Sequence, residues 1–408
     1  MKKIYQLEGV RGFGALLVFV CHFQIVFYPA FYDRFLSHLT PRLPGNLSRF
    51  IVYMIDMSIN GNMFLHIFWA LSAYVLLKKY FENNTRGETL AASAIKRYVR
   101  LMIPCTVSVF FSYFLFKFGL IYVRGIHVHV LQQNLYAIPP SIVHSIKTSF
   151  WNNLFDYDYF NSYNGPLWTI QREFMGSLFC FGLFGVIGKA NRRSLLYVLI
   201  FGCVFALKMY WLNSFLLGYF LSDYDFSEKN RNGRLYQWAQ AVNRFAINNQ
   251  LATLVLFIVV FVAFKSYLYK HPDDLDMVNC ILSFLVIFIS LRLDVVNRLA
   301  GIRIFTWLGR VSFGLYVLHW PFMCAYTSWF YLSFPHTWFN MIFLFVSTLG
   351  ACLILAKLFY KYVDLVSIKV SGRIAGFFSK SALQPLARMS LQKASVLLLG
   401  TICLALFV

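Results

Sequence analysis

Arg11 and His22 stand 11 residues apart in one apolar stretch. On a helix that is about three turns, or about 16 Å, so both side chains share a face. Ionisable groups inside such a stretch are costly, and their default reading is functional or paired. A cation at one mouth of a bundle, in line with a deeper imidazole, suits a polar channel. The alternative is a snorkelling arginine and a hydrogen-bonded structural histidine. Farther along, Arg97 and Arg100 are spaced i,i+3 and face the same way. Two guanidiniums so placed could clamp an anion, above all a phosphate, although topology alone also puts arginines at a membrane boundary.

A third feature is the run Asn164-Gly165-Pro166-Leu167-Trp168 with Glu173 beyond it. Gly-Pro starts a helix after a tight turn, Trp168 suits a membrane interface, and Glu173 falls one to two turns inside. A buried carboxylate there could orient or charge-stabilise an imidazole across the bundle, whereas Arg172 points elsewhere on the helix. Ser72, His66 and His319 are further polar groups within apolar runs, each also explained by helix packing. His319 lies just ahead of the kink expected at Pro321.

The elements that must hold these groups are membrane helices. Of 408 residues, 59% are hydrophobic and only 13% charged, about half the charge of a soluble domain. Apolar runs of about 15 to 25 residues recur with short connections, matching a hydrocarbon core in which a helix satisfies its own backbone. The reading is all-α: a polytopic transmembrane bundle of about ten spans, near residues 8–29, 61–77, 101–123, 166–188, 194–207, 210–222, 250–269, 277–293, 311–333 and 338–360. The two runs near 195–207 and 211–221 are short enough to be tilted, shallow or broken. A short hydrophobic tail at 395–408 is either a partial eleventh span or an interfacial helix. The segment 222–250 reads as a solvated loop, and the larger loops 30–60 and 124–165 as aromatic caps on the bundle.

The net charge of +21 does not point to nucleic acid, because the basic residues cluster at the ends of apolar runs. With the N-terminus inside, alternate segments carry 26 basic residues inside and 8 outside. That asymmetry favours a cytoplasmic N-terminus and ten crossings. Met1-Lys2-Lys3 and the following apolar run mimic a signal peptide. The run lacks a small-x-small cleavage site, however, and reads as a retained first helix. Eight cysteines, without a CxxC pair, read as buried apolar side chains rather than a disulfide or zinc framework, and no metal site is expected.

In order, these motifs resemble the acyltransferase-3 family of integral membrane O-acyltransferases. Leu7-Glu8-Gly9-Val10-Arg11-Gly12 followed by His22 is similar to the family's opening and its Arg-x10-His signature. Phe68-Trp69-Ala70-Leu71-Ser72-Ala73-Tyr74, Arg97-Tyr98-Val99-Arg100, Gly165-Pro166-Leu167-Trp168 with Glu173, and residues 308–319 ending in His319 resemble its later motifs. The departures are Glu8 for an aspartate, Ala73 for a glycine, and Asp364 where a Glu-Pro pair is usual. The resemblance divides the chain into an acyltransferase-3-like transmembrane domain at 1–364 and a basic extension with an apolar tail at 365–408.

The resemblance implies transfer of an acyl group, usually acetyl, from cytoplasmic acyl-CoA to a hydroxyl of a glycan or glycolipid. His22 would then be the general base, and Glu173 would orient it or stabilise its cation. Arg11 would hold the donor or the developing oxyanion, and Arg97 with Arg100 would anchor CoA phosphates. An acyl-histidine intermediate is the rival course. Ser72, Trp168 and His319 would line a substrate channel. Acetyl-CoA or another acyl-CoA is the donor, and no tightly bound cofactor is expected. The implied partners are the lipid bilayer and a glycan or lipid-linked sugar, with a homo-oligomer left open. A multi-pass protein of a bacterial inner membrane, acting without a fused outer hydrolase-like domain, completes the expectation. A transporter or flippase of polysaccharide intermediates is the alternative from another class, although no duplicated halves are visible.

Overall fold

The computed structural model describes residues 5–39, 61–83, 88–126, 136, 138–188, 190, 193–227 and 234–381. These residues are helical throughout their regular structure, with no strand among them. The principal helices are α1 (Tyr5–Leu39), α2 (Gly61–Asn83), α3 (Glu88–Lys117), α4 (Trp168–Ile187), α5 (Ser194–Ala206) and α6 (Tyr210–Phe226). They continue as α7 (Arg234–Asn248), α8 (Gln250–Lys270), α9 (Leu275–Arg292), α10 (Arg303–Phe322), α11 (Trp338–Phe359) and α12 (Leu365–Ser381).

Each of the ten expected apolar runs contains a helix, although the one expected to reach 123 stops at Lys117. By length and apolarity, five stretches among the described residues suffice to cross a membrane: Leu90–Lys117, Gly165–Ile187, Gln250–Lys270, Pro272–Arg292 and Trp338–Phe378. Of the two short runs, α5 has 13 residues and α6 has 17. Helix α1 continues to Leu39 past a kink at Phe27, beyond the expected end at 29. The expected loop at 222–250 contains α7, whose apolar and polar residues segregate to opposite faces, a periodicity hidden in the sequence by the polar composition of the segment. The tail at 395–408 and residues 40–60 lie outside the described residues.

Helix α2 is the buried axis, with Ile67, Trp69, Leu71, Ala73 and Leu77 almost sealed from solvent. Around it pack α1, α4, α6 and α9. Helix α6 approaches α2 so closely that a Cβ at Gly218 would lie 2.0 Å from the Ala70 carbonyl oxygen. Small residues permit such backbone contact, which is how helices associate where burial from water supplies no drive.

The same device joins α1 to α10. A Cβ at Gly309 would lie 2.0 Å from the Glu8 carbonyl oxygen, and one at Gly12 would lie 2.3 Å from that of Phe305. Farther along both helices, His22 meets His319. Thus α1 and α10 run parallel and in contact over this length. Helix α2 is antiparallel to α1, because Gly61 faces Cys21 while Phe64 and Phe68 face Gly14. The end carrying Tyr5 is called proximal below, and the end carrying His22 distal.

Candidate active site

Pro321 sets the local geometry of α10. It lacks the N–H that would bond the Val317 carbonyl one turn back. That carbonyl instead accepts from Ser108 Oγ at 2.6 Å and Asn164 Nδ2 at 2.8 Å. The missing helical bond therefore becomes a tether for the Asn164-Gly165-Pro166 turn, and the helix continues as a π-turn over Met323–Thr327. From the turn, a short 3-10 segment (Gly165–Leu167) feeds α4, as the Gly-Pro pair predicts. The Tyr316 hydroxyl lies 2.8 Å from the Pro166 carbonyl and 2.6 Å from Thr169 Oγ1, closing a collar between α10 and α4. In the connecting segment, burial pushes the Tyr159 phenol up to about 12, so a neutral ring packs against Gly165.

On the proximal side of this collar is a cavity of about 210 Å³. Its lining includes Arg11, Arg97, Arg100 and Arg310 against only two carboxylates, Glu173 and Asp364. Two excess positive charges lining one cavity favour an anionic ligand. The four arginines are not equivalent. Arg97 pairs with Glu173, while its Nη2 donates to Ser72 at 2.9 Å and its Nε to Ser177 at 3.0 Å. Arg100 pairs with Asp364 at 2.7 Å and donates to Ser367 at 2.6 Å. Arg11 lines the same cavity with no hydrogen bond or ion pair to a described residue, and it senses the charges of Glu173 and Glu8 only at longer range.

Beyond the collar lies an imidazole pair. His22 Nδ1 and His319 Nε2 are 2.7 Å apart, and His319 Nδ1 lies 3.0 Å from the Leu315 carbonyl oxygen. A carbonyl only accepts, so His319 carries its proton on Nδ1 and its Nε2 is the acceptor. His22 must then donate from Nδ1, which leaves the lone pair of His22 Nε2 available. The rings also stack, with centroids 4.9 Å apart. The Trp320 ring centroid is 5.3 Å from that of His22, and its Nε1 is buried without an acceptor among the described residues.

The residues singled out in the sequence therefore fall into three places. Arg11, Arg97, Arg100, Glu173 and Ser72 surround the cavity. His22 and His319 form the pair one turn beyond Tyr316, whose ring centroid is 5.9 Å from that of His319. Trp168 lies on neither; it covers the Arg172 guanidinium at 4.7 Å. Glu173 is held against Arg97, and the group that orients His22 is His319 instead. Asp364 is the residue missed: it appears in the sequence only as a departure from the family pattern, yet it neutralises Arg100. Ser177 escaped as well, although its place four residues after Glu173 on one helix face was a readable signal.

Comparison with known proteins gives one match: the acyltransferase-3 family model, described as an acyltransferase domain, fits residues 4–357. No curated protein and no solved structure matches this chain.

Proposed function

The chain belongs to the acyltransferase-3 family and is a membrane acyltransferase; on that premise we propose that it moves an acyl group, most simply acetyl, from acyl-CoA to a hydroxyl of a glycan or glycolipid. The observation that carries this reading is the His22–His319 pair, whose hydrogen bonds leave a basic nitrogen next to a cationic cavity. Ten crossings with a cytoplasmic N-terminus would open that cavity to the cytoplasmic donor.

The cavity is smaller than a typical pocket for a whole ligand of this size, so it would receive the pantetheine end of the donor. Arg11, which has no ion-pair partner among the described residues, meets the donor's negative charge together with Arg310, while Arg97 and Arg100, neutralised by Glu173 and Asp364, shape the cavity wall. The thioester passes the Tyr316 collar to His22. There, His22 Nε2 removes the acceptor hydroxyl proton as the oxygen bonds to the acyl carbon. The carbon–sulfur bond then breaks, and the imidazolium returns its proton to the CoA thiolate. Negative charge that develops on the thioester oxygen is met by Trp320 Nε1, which has no acceptor among the described residues. His319 keeps His22 in the reactive tautomer. Glu173 acts through Arg97, as a positioning residue.

The test is transfer of radiolabelled acetyl from acetyl-CoA by the purified protein, supplied with membrane glycan extract. Loss of transfer in His22→Ala is expected; full activity in that variant overturns the assignment. Rapid quench without acceptor distinguishes direct transfer, which leaves no labelled protein, from an acyl-histidine course. Mass spectrometry of glycans from a deletion strain and its parent would then identify the acceptor.

A further inference from the structure

At the distal start of α4, the Arg172 guanidinium is enclosed by three indoles. Its carbon lies 4.7 Å from the Trp168 ring centroid, 5.7 Å from Trp211 and 5.8 Å from Trp69. Such faces stabilise a cation but accept none of its hydrogen bonds. Arg172 is half-buried and makes no hydrogen bond or ion pair with any described residue, so its N–H edge is open to a ligand. Asp276 is a carboxylate whose charge acts on it.

Asp276 is itself fixed. Its Oδ1 accepts from Asn62 Nδ2 at 2.6 Å and lies 3.6 Å from His66 Nε2. His66 is steadied in turn by Ser214 Oγ, 2.8 Å from its Nδ1. Asp276 Oδ2 has no such partner, and the side chain is 47% exposed. A guanidinium edge that only donates and a carboxylate oxygen that only accepts thus lie on either side of Trp69, whose ring packs over Arg172 and is 5.0 Å from that of His66, the partner of Asp276. Adjacent hydroxyls of a neutral sugar offer the complement: they accept from arginine, donate to aspartate and lay their C–H face on indole.

Trp69 connects this cluster to the cavity. The ring packs over Arg172 and also lines the cavity that contains Arg11 and Arg97. One buried indole thus separates the two. Asn62 also adjoins Gly61, which packs against Cys21, the neighbour of His22, so the Asp276 end of the cluster sits at the depth of the imidazole pair.

We propose that Arg172, Asp276 and the Trp69–Trp168–Trp211 indoles form a binding site for a neutral saccharide, placed to present a sugar hydroxyl towards His22. The presentation step rests on the acyl-transfer reading; the binding step does not. Arg172 and Asp276 hold the sugar's hydroxyls, and Trp168 with Trp211 bears its apolar face.

The test is tryptophan fluorescence of the full-length protein in detergent, titrated with maltotriose, chitotriose and inorganic phosphate. A saturable change with at least one trisaccharide is expected, weakened about tenfold or more in both Arg172→Gln and the isosteric Asp276→Asn. Acetyl-CoA binding, followed in parallel by calorimetry, should be unchanged in both variants, which also shows that they fold. The proposal is overturned if neither trisaccharide binds, if both variants bind like the parent, or if phosphate displaces the sugar, which would mark an anion site. Absence of acetyl-CoA binding in the parent would count against the donor reading alone and leave the saccharide result standing.

Discussion

His22 and His319, 297 residues apart in the chain, share a 2.7 Å hydrogen bond whose direction is set by the Leu315 carbonyl. A histidine that anchors its own helix backbone thereby dictates the tautomer of another. On the proposed acyl transfer, His319 is the positioning residue and His22 the one that meets substrate.

The two histidines should separate in kinetics. His22→Ala is expected to lower the acetyl-transfer rate about 10²- to 10⁴-fold, the usual worth of a general base. His319→Ala should reduce kcat and leave the donor KM nearly unchanged. His319→Gln, whose side-chain oxygen can still accept from His22 Nδ1, should recover part of the loss. Equal inactivity of the Ala and Gln variants would argue against a tautomer-setting role.

Arg11 should be a binding residue with little structural cost. Arg11→Gln removes no hydrogen bond to a described residue, so thermal unfolding in detergent should hardly move. The donor KM should rise about tenfold or more and lose much of its salt dependence. Unchanged acetyl-CoA affinity would remove Arg11 from the donor path.

Arg97 and Glu173 should behave in the opposite way. Both are mostly buried, and deleting one partner strands the other's charge, which costs about 3–5 kcal/mol. Glu173→Gln and Arg97→Gln should each lower the unfolding temperature, and the double variant should lose less than the two losses added. Ser72→Ala should cost only about 1 kcal/mol, because Arg97 keeps its other acceptors. Additive losses in a double-mutant cycle would show that the pair is not coupled.

Trp320→Phe should keep the ring packing and remove the unsatisfied indole N–H. The expected result is a lower kcat at unaltered donor KM, about 10²-fold if that N–H meets the oxyanion. An unaltered kcat would leave the thioester oxygen to another donor.

Gly309→Ala tests the α1–α10 contact. The new Cβ would collide with the Glu8 carbonyl oxygen, so backbone must shift, at about 1–3 kcal/mol or more. Gly350→Ala meets nothing within 4 Å and should be silent. Similar melting of the two variants would contradict the close approach.

Much of this arrangement was legible from the residues alone. Apolar run length located the helices, and motif order led to Arg11, His22, Arg97, Arg100 and Glu173. Pairing was not legible, because partners such as His22 and His319, or Arg100 and Asp364, are joined only by helix packing. Periodicity places a side chain on a face but does not say which neighbouring helix presents the opposite charge. Glu173 illustrates this: its depth suited an imidazole, yet Arg97 on α3 reaches it together with Ser72 on α2. Arg172 was passed over because only the fold collects three tryptophans, from α2, α4 and α6, around its guanidinium.

The interlocked glycines of α1 and α10 act as a ruler. With Gly12 and Gly309 seated against opposing backbone, neither helix can slide, so His22 stays level with His319 and the cavity walled by Arg11 and Arg310 keeps a set span from that pair. A donor must therefore bring its own reach: a long flexible arm bridges that span, whereas a short activated ester, however reactive, would bind at one end and leave the other out of range.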